Sequence, residues 1–355
     1  MTQQTRRGFL AATTGVLAGV AGCAAGSRES PEPADAQEAP AQDGSDRDSA
    51  YTSVYEAAIG SVAFVGDESG GGSGFVHDGV VVTNQHVVRD ADTIGVRFEN
   101  GEWREAGVTA TDVYADLAVL STDIPSYATP LSLVESVPPV GTEVLALGSP
   151  FGLESSVSTG IISGRNRSVP NGQTGFPIPN TVQTDAGLDP GNSGGPLVTM
   201  EGEVTGINVA GAGTSVGFAV SPLLAGRVIP ELVDTGGYEH PFLGVRLLGV
   251  TPRVAEANGL GEPRGVLVVE TTEDGPAAGS LRGATGEATV DGRPVPTGGD
   301  VIVGLAGDRI DTEADLGTTL ALRLSPGDRV EATVIRDGER RTVDVEIGSR
   351  PEPEA

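Results

Sequence analysis

Lysine is missing altogether from this 355-residue chain, and each of its 22 basic side chains is an arginine. Against them stand 49 acidic residues, for a formal net charge of −27. That balance argues against nucleic acid as a partner, because nothing gathers enough positive charge to neutralise a run of phosphates. Cysteine occurs once, at Cys23. A disulfide within the chain is therefore excluded, a metal has little thiol support, and neither metal nor cofactor is expected. Aromatic residues make up only 4%, and acid-rich, aromatic-poor chains are often disordered. Apolar runs that recur regularly from Ser61 to Ile347 argue against that here. The better reading is a folded, salt-adapted protein whose carboxylates hold water while salt screens their repulsion. Histidine occurs three times, at His77, His86 and His240, so any imidazole chemistry has few candidates. Long hydrophobic runs are also lacking, since the apolar stretch over residues 11–21 is too short to read as a membrane span.

What is present begins with a leader. Arg6-Arg7-Gly8-Phe9-Leu10 opens a twin-arginine signal, and Val20-Ala21-Gly22-Cys23 resembles a lipobox cut before a lipid-bearing cysteine. Residues 1–22 read as a signal peptide and Cys23 as the lipidation site. The lipid would hold the chain to the outer face of the cytoplasmic membrane. Residues 23–50, rich in Pro, Glu, Asp, Ser, Gln and Ala, read as a disordered acidic tether.

Residues 51–236 read as mainly β. Short apolar runs at 61–65, 80–83, 93–98, 117–120 and 143–147 are separated by Gly, Asp, Asn and Pro. Helices are expected over 54–59 and 222–233, the second after Ser221 as N-cap. Many short strands without intervening helices favour a barrel or sandwich over a parallel α/β sheet. Within this region, Gly191-Asn192-Ser193-Gly194-Gly195-Pro196 sets a serine among glycines, where the backbone turns tightly and leaves its own N–H groups free. A serine hydroxyl needs a base, and the base needs an orienting partner. His86, in Thr83-Asn84-Gln85-His86-Val87-Val88, follows a strand. His77, beside Asp78-Gly79, reads as an exposed turn residue, and His240, before Pro241, falls at a domain boundary. For the carboxylate, Asp116 begins the run Asp116-Leu117-Ala118-Val119-Leu120, whereas Asp112 and Asp123 read as loop acids. The order His, Asp, Ser is that of the chymotrypsin-type triad. The α/β-hydrolase elbow needs its histidine after the serine, and only His240 follows Ser193. The N–H groups of Gly191 and Ser193 are suited to a developing oxyanion.

These strings, together with Gly70-Gly71-Gly72-Ser73-Gly74-Phe75, Leu147-Gly148-Ser149-Pro150-Phe151-Gly152, Gln183-Thr184-Asp185-Ala186 and Gly217-Phe218-Ala219-Val220, resemble the HtrA/Deg family of trypsin-fold serine proteases. The resemblance implies a trypsin-like double β-barrel with His86, Asp116 and Ser193 in the cleft between the barrels. The choice of Asp116 rests largely on it. It places Gly187, six residues before the serine, at the base of the primary specificity (S1) pocket, with Ile207 and Phe218 lining it. Cleavage after small or medium aliphatic residues follows. Segment 165–180 matches the position of a family activation loop, and Asp185 and Asp189 are expected to face away from the pocket. The family also implies homotrimers or larger assemblies built through N-terminal parts, with Tyr51 and Tyr55 as candidate contacts.

From 239 to 348 the pattern becomes α+β. It holds a helix near 313–324, strands at 330–336 and 341–347, and a hairpin turn at Arg336-Asp337-Gly338-Glu339. Leu316 and Leu320, four apart, share one helix face. The series resembles a PDZ domain. Phe242-Leu243-Gly244-Val245 then corresponds to its carboxylate-binding loop, Leu316 and Leu320 face the ligand's last side chain, and the peptide adds as a strand against residues 245–247. A polar insertion at 283–298 has no counterpart in that pattern, and residues 349–355 read as an acidic tail. The expectation is an extracytoplasmic, membrane-anchored serine endopeptidase that degrades misfolded or damaged exported proteins. Its partners would be unfolded polypeptides and protein C-termini. The rival reading is a non-hydrolytic chaperone or peptide-binding scaffold on the same fold, which a lost triad residue would mark.

Overall fold

The computed structural model describes residues 44–67, 70–149, 156–209 and 216–352. The expected signal peptide, Cys23 and the first part of the tether lie outside the described residues. Helix α1 (Gly44–Ala58) runs into a 3₁₀ turn at Ile59–Ser61. Regular structure thus begins inside the stretch read as tether and ahead of the helix expected over 54–59. Val54 and Ala58, one turn apart, are buried in the same apolar cluster, which gives the helix a face to dock.

Two antiparallel barrels follow. The first closes in the order β1-β2-β3-β6-β5-β4, built from β1 (Val62–Asp67), β2 (Gly70–His77), β3 (Val80–Thr83), β4 (Thr93–Phe98), β5 (Trp103–Asp112) and β6 (Leu117–Ser121). A short helix α2 (Gln85–Val88) follows β3. The second closes as β10-β11-β12-β9-β8-β7, from β7 (Glu143–Gly148), β8 (Ser156–Val169), β9 (Ile178–Thr184), β10 (Pro196–Thr199), β11 (Val204–Val209) and β12 (Gly217–Val220). Closure removes the free edges that would otherwise template aggregation.

The side-chain period of two explains why β6 and β7 read as unbroken apolar runs. On β6, Ala118 and Leu120 enter the first barrel's core with Val65, Val76 and Val81. Leu117 and Val119 point the other way, into a cluster that also takes Phe75, Leu145, Leu147, Ile207 and Leu224. On β7, Val144 and Ala146 fill the second barrel with Ile162 and Leu197, while Leu145 and Leu147 join the shared cluster. Both faces of these strands are buried, so the barrels are locked to one another and the groove between them has fixed walls. His77, expected in an exposed turn, is mostly buried instead, and its Nδ1 lies 2.8 Å from the Leu131 carbonyl oxygen.

Helix α3 (Pro222–Asp234) is capped by Ser221, whose Oγ accepts from the Leu224 N–H at 3.1 Å, with Pro222 in the first turn. The remaining chain forms β13 (Pro241–Phe242), β14 (Val245–Gly249), α4 (Pro252–Ala257), β15 (Val266–Thr271), β16 (Gly286–Val290), β17 (Arg293–Thr297), β18 (Val301–Leu305), β19 (Asp308–Arg309), α5 (Glu313–Arg323), β20 (Arg329–Arg336), β21 (Glu339–Glu346) and β22 (Gly348–Ser349). The main sheet has the order β14-β15-β18-β20-β21, with β19 on β18. Asp337 and Gly338 both take positive φ between β20 and β21, as a two-residue hairpin turn requires. The polar insertion is the β16–β17 hairpin, whose Val290 and Val295 pack with Val254, Val301 and Val303.

Helix α5 begins with a capping box formed by Thr312 and Asp315. Its outer face meets the second barrel. Asn166 Nδ2 donates to Asp315 Oδ1 at 2.8 Å, and Asn180 Nδ2 donates to Thr318 Oγ1 at 3.4 Å. Among the described residues no helix is long and apolar enough to cross a membrane.

Candidate active site

Three separate pieces of chain carry His86, Asp116 and Ser193, the first two in contact and the third lining the same cleft as His86. His86 sits on α2, directly after β3. Asp116 closes the turn from β5 into β6 with φ +54°, a left-handed conformation that aspartate tolerates better than most residues. Its carboxylate is almost fully buried and reaches His86 Nδ1 at 2.8 Å through Oδ2 and 3.0 Å through Oδ1. Oδ1 also accepts the His86 backbone N–H at 3.0 Å. Behind it, Asn84 Nδ2 donates to the Asp116 carbonyl at 2.8 Å. The ring is thereby held through Nδ1. His86 and Ser193 line one cleft of about 880 Å³, whose walls also include Gly191, Val87, Ile94, Trp103 and Leu188. Asp189 also lines this cleft.

The serine turn is built around a glycine. Gly194 has φ +85°, and a Cβ there would lie 2.2 Å from the Ser73 carbonyl oxygen and 2.3 Å from Thr83 Oγ1. Only glycine allows the turn to approach β2 and β3 so closely. Ser73 then stitches the turn in place. Its N–H donates to the Ser193 carbonyl at 2.7 Å, its Oγ donates to the Gly191 carbonyl at 2.6 Å, and that same Oγ accepts the Ser149 N–H at 2.8 Å. With the Gly191 and Ser193 carbonyls tied back, their own N–H groups donate to no acceptor among the described residues. The glycine string that contains Ser73 does not by itself reveal this role. The signal was there, as a lone hydroxyl inside a glycine run on a buried strand.

The expected pocket residues occupy different settings. Ile207 is fully buried in the cluster between the barrels, and Phe218 is half-buried on β12 opposite Val209 and Gln183. The Gly187 carbonyl accepts from Ser158 Oγ at 2.5 Å. None of the three lines the cleft described above. Segments 150–155 and 210–215, which follow β7 and β11, lie outside the described residues.

In the C-terminal sheet, Gly244 takes φ +68°, and its carbonyl and that of Leu243 accept from Thr272 and Ala277 at 2.7 and 3.1 Å. The N–H groups of Leu243 and Gly244 have no acceptor among the described residues. Leu243 and Leu316 are buried in one cluster, with Val245 and Leu320 partly buried against it. The Phe242 ring meets Phe176 of the 170–177 segment edge-on, centroids 5.9 Å apart. Tyr51 and Tyr55 pack partly buried on the shared core of their own chain.

Two corrections concern an acid and a histidine away from His86 and Asp116. Asp112, read as a loop acid, ends β5 and is 5% exposed. His240, placed at a domain boundary, is 4% exposed there, and its Nε2 lies 2.7 Å from Asp112 Oδ2. The sequence hid this because a pair 128 positions apart has no local signature.

Comparison with known proteins agrees with this geometry. A trypsin-like peptidase domain model matches residues 72–207, and a PDZ domain model matches residues 241–347. A probable periplasmic serine endoprotease of DegP type from Pseudomonas putida is 40% identical over 292 residues, 80% of this chain and 57% of that protein. A relative of the same description from Halomonas elongata is 37% identical over 289 residues, 79% of this chain and 57% of its own length. The chain thus spans little more than half the length of these relatives. Among solved structures, the HtrA-type protease AlgW with tripeptide superposes with a TM-score of 0.66 at 32% identity, covering 85% of this chain and 98% of that one. A serine endoprotease from Yersinia pestis superposes with a TM-score of 0.60 at 28% identity, covering 85% and 98%. With a matching relative covered almost end to end, and both domain models in order, the chain belongs to the HtrA-type family of trypsin-fold proteases.

Proposed function

We propose that this protein is a serine endopeptidase working through an acyl-enzyme, and that its PDZ domain captures exposed C-termini of the polypeptides it degrades. The observation that carries the reading is the Asp116–His86 hydrogen bond at 2.8 Å opening onto a cleft that also holds Ser193. In this reading Ser193 Oγ attacks the scissile carbonyl while His86 Nε2 takes its proton. Asp116 holds the imidazole tautomer and stabilises the imidazolium without itself taking the proton. The tetrahedral oxyanion is met by the N–H groups of Gly191 and Ser193, and a single such donor is worth about 10²–10³ in rate. His86 then delivers the proton to the leaving amine, and a water molecule, activated by the same imidazole, releases the acyl group.

The primary pocket is assigned to Gly187, Ile207 and Phe218, favouring small or medium aliphatic residues before the scissile bond. A peptide C-terminus would meet the free N–H groups of Leu243 and Gly244, add as a strand to β14, and set its last side chain against Leu316 and Leu320. The protease region is taken as 51–236 and the PDZ domain as 239–348; residues 349–351, read from sequence as part of an acidic tail, are instead fixed by β22 and by Tyr114. Residues 1–22 are assigned as the signal, Cys23 as the lipid-bearing residue and the stretch from 23 to the start of α1 as a tether. Because relatives are described as periplasmic, an extracytoplasmic place is supported. Anchoring at Cys23, a salt-adapted surface and assembly into trimers complete the proposal.

The test is turnover of casein by the wild type and by Ser193→Ala in salt that keeps both folded. Hydrolysis by the wild type alone supports the reading. Equal hydrolysis removes Ser193 as nucleophile, and none by either favours a peptide-binding scaffold.

A further inference from the structure

The five-residue turn 112–116, which delivers Asp116 to His86, is held almost entirely from outside itself. Asp112 Oδ1 accepts the Ala115 N–H at 2.6 Å and closes the turn, while Oδ2 faces His240 Nε2 at 2.7 Å. The Val113 carbonyl accepts from Asn171 Nδ2 at 2.7 Å. The Tyr114 hydroxyl donates to the Pro351 carbonyl. His240 lies edge-on to the rings of Tyr114 and Tyr238, centroids 5.2 and 4.7 Å away. Arg350, whose N–H donates to the His240 carbonyl at 2.8 Å, lies over Tyr114 and Phe176. Burial between those rings lowers the Arg350 pKa from its ordinary value, and burial likewise raises that of Tyr114. His240 and Arg350 flank the two-stranded β13–β22 pairing at the two ends of the PDZ-like fold, so the second domain grips this turn directly.

The physical consequence follows from Asp112. A carboxylate 5% exposed is tolerable only while hydrogen-bond donors face it. Its donors are the Ala115 N–H and the His240 imidazole. Without the imidazole, one oxygen is left buried and bare, and the side chain gains by swinging toward water. That motion releases the Ala115 N–H as well, because the same carboxylate holds both. Asp116 is the next residue and already sits at φ +54°, a conformation that persists where its surroundings enforce it.

We propose that His240 is a positioning residue for catalysis, its imidazole fixing Asp112 and through it the turn that aims Asp116 at His86. His240 touches neither substrate nor reacting atoms. The triad is then correctly set when the second domain is docked on the first. This inference rests on the triad reading given above.

The test uses the full chain with His240→Ala and His240→Gln, the latter because a glutamine amide can place an N–H donor near the position of Nε2. Turnover of a chromogenic peptide is measured per active site titrated with a fluorophosphonate, alongside the low-field proton signal of the His86–Asp116 hydrogen bond. For His240→Ala, kcat per titrated site falls about 10- to 100-fold, the scale of a small misplacement of a catalytic group. KM stays near the wild-type value, and the low-field signal is lost or shifted. His240→Gln recovers most of kcat and the signal. If His240→Ala keeps wild-type kcat per titrated site and loses only thermal stability, His240 is simple domain glue and the inference is overturned. Failure of His240→Gln to rescue overturns it equally. Ser193→Ala, assayed in parallel, separates the cases. Full activity there sinks the triad itself, whereas an inactive Ser193→Ala beside an unaffected His240→Ala sinks only this inference.

Discussion

Replacing Ser73 by alanine should slow turnover without touching His86, Asp116 or Ser193. Its Oγ makes two bonds, donating to the Gly191 carbonyl at 2.6 Å and accepting the Ser149 N–H at 2.8 Å. The first ties the Gly191 peptide, whose φ of +102° only glycine tolerates well, and the second anchors the chain after β7 to the same hydroxyl. Each bond is worth about 1 kcal/mol net. Losing the one to Gly191 shifts the balance between aligned and rotated peptide by about 1 kcal/mol, or about 5-fold in population. The ceiling on the effect is the loss of one oxyanion donor, about 10²–10³ in kcat. The expected result for Ser73→Ala is thus a fall in kcat of about 5-fold with KM near the wild-type value. Steady-state hydrolysis of a peptide ending in Ala or Val before the scissile bond reads both constants. A kcat equal to that of the wild type, or a defect confined to KM, would refute the claim that Ser73 holds the oxyanion turn.

Asp116→Asn removes the charge that orients His86 and should lower kcat by about 10⁴, as replacing the triad aspartate does in the general case; retention of more than a tenth of the activity contradicts the assignment. Thr312→Ala deletes the capping-box hydroxyl of α5 and should cost about 1 kcal/mol in urea unfolding, and an unchanged midpoint refutes the cap's contribution. Asp300 is fully buried and receives Arg336 Nε and Nη2 at 2.7 Å, the bond that chiefly raises the Arg336 pKa, so Asp300→Ala strands a cation and should cost about 3–5 kcal/mol. A loss below about 1 kcal/mol would show that the arginine finds water. With a net charge of −27, the thermal midpoint should climb between about 0.15 and 3 M NaCl, and a flat or falling curve removes the salt-adapted reading.

Most of the fold was legible because local rules and tertiary packing agree. The runs that became β3 and β4 have the ends their apolar residues announce, and Ser221 before Pro222 marks the start of α3 by ordinary capping chemistry. Helix α2 escaped notice because four residues carry no periodicity, although His86 rides on it. The β16–β17 hairpin was read as a polar insertion, since its exposed positions outnumber the two valines that dock it. Of the site, Ser193 and His86 stand out through glycine context and the scarcity of histidine. Asp116 does not, because 49 acids compete for the role and its left-handed turn is invisible in one dimension. Asp112 and His240 were invisible for a related reason: a buried acid looks like a loop acid until its partner, 128 positions away, is seen beside it.

The most direct test of the account is covalent labelling of the folded protein with a fluorophosphonate, the adduct being mapped by mass spectrometry. The reagent reacts fast only with a serine whose proton is being withdrawn next to oxyanion donors. A single adduct on Ser193, abolished in His86→Ala and slowed in Ser73→Ala, is the result predicted. Labelling elsewhere, or at Ser193 with equal speed in all three proteins, would contradict it.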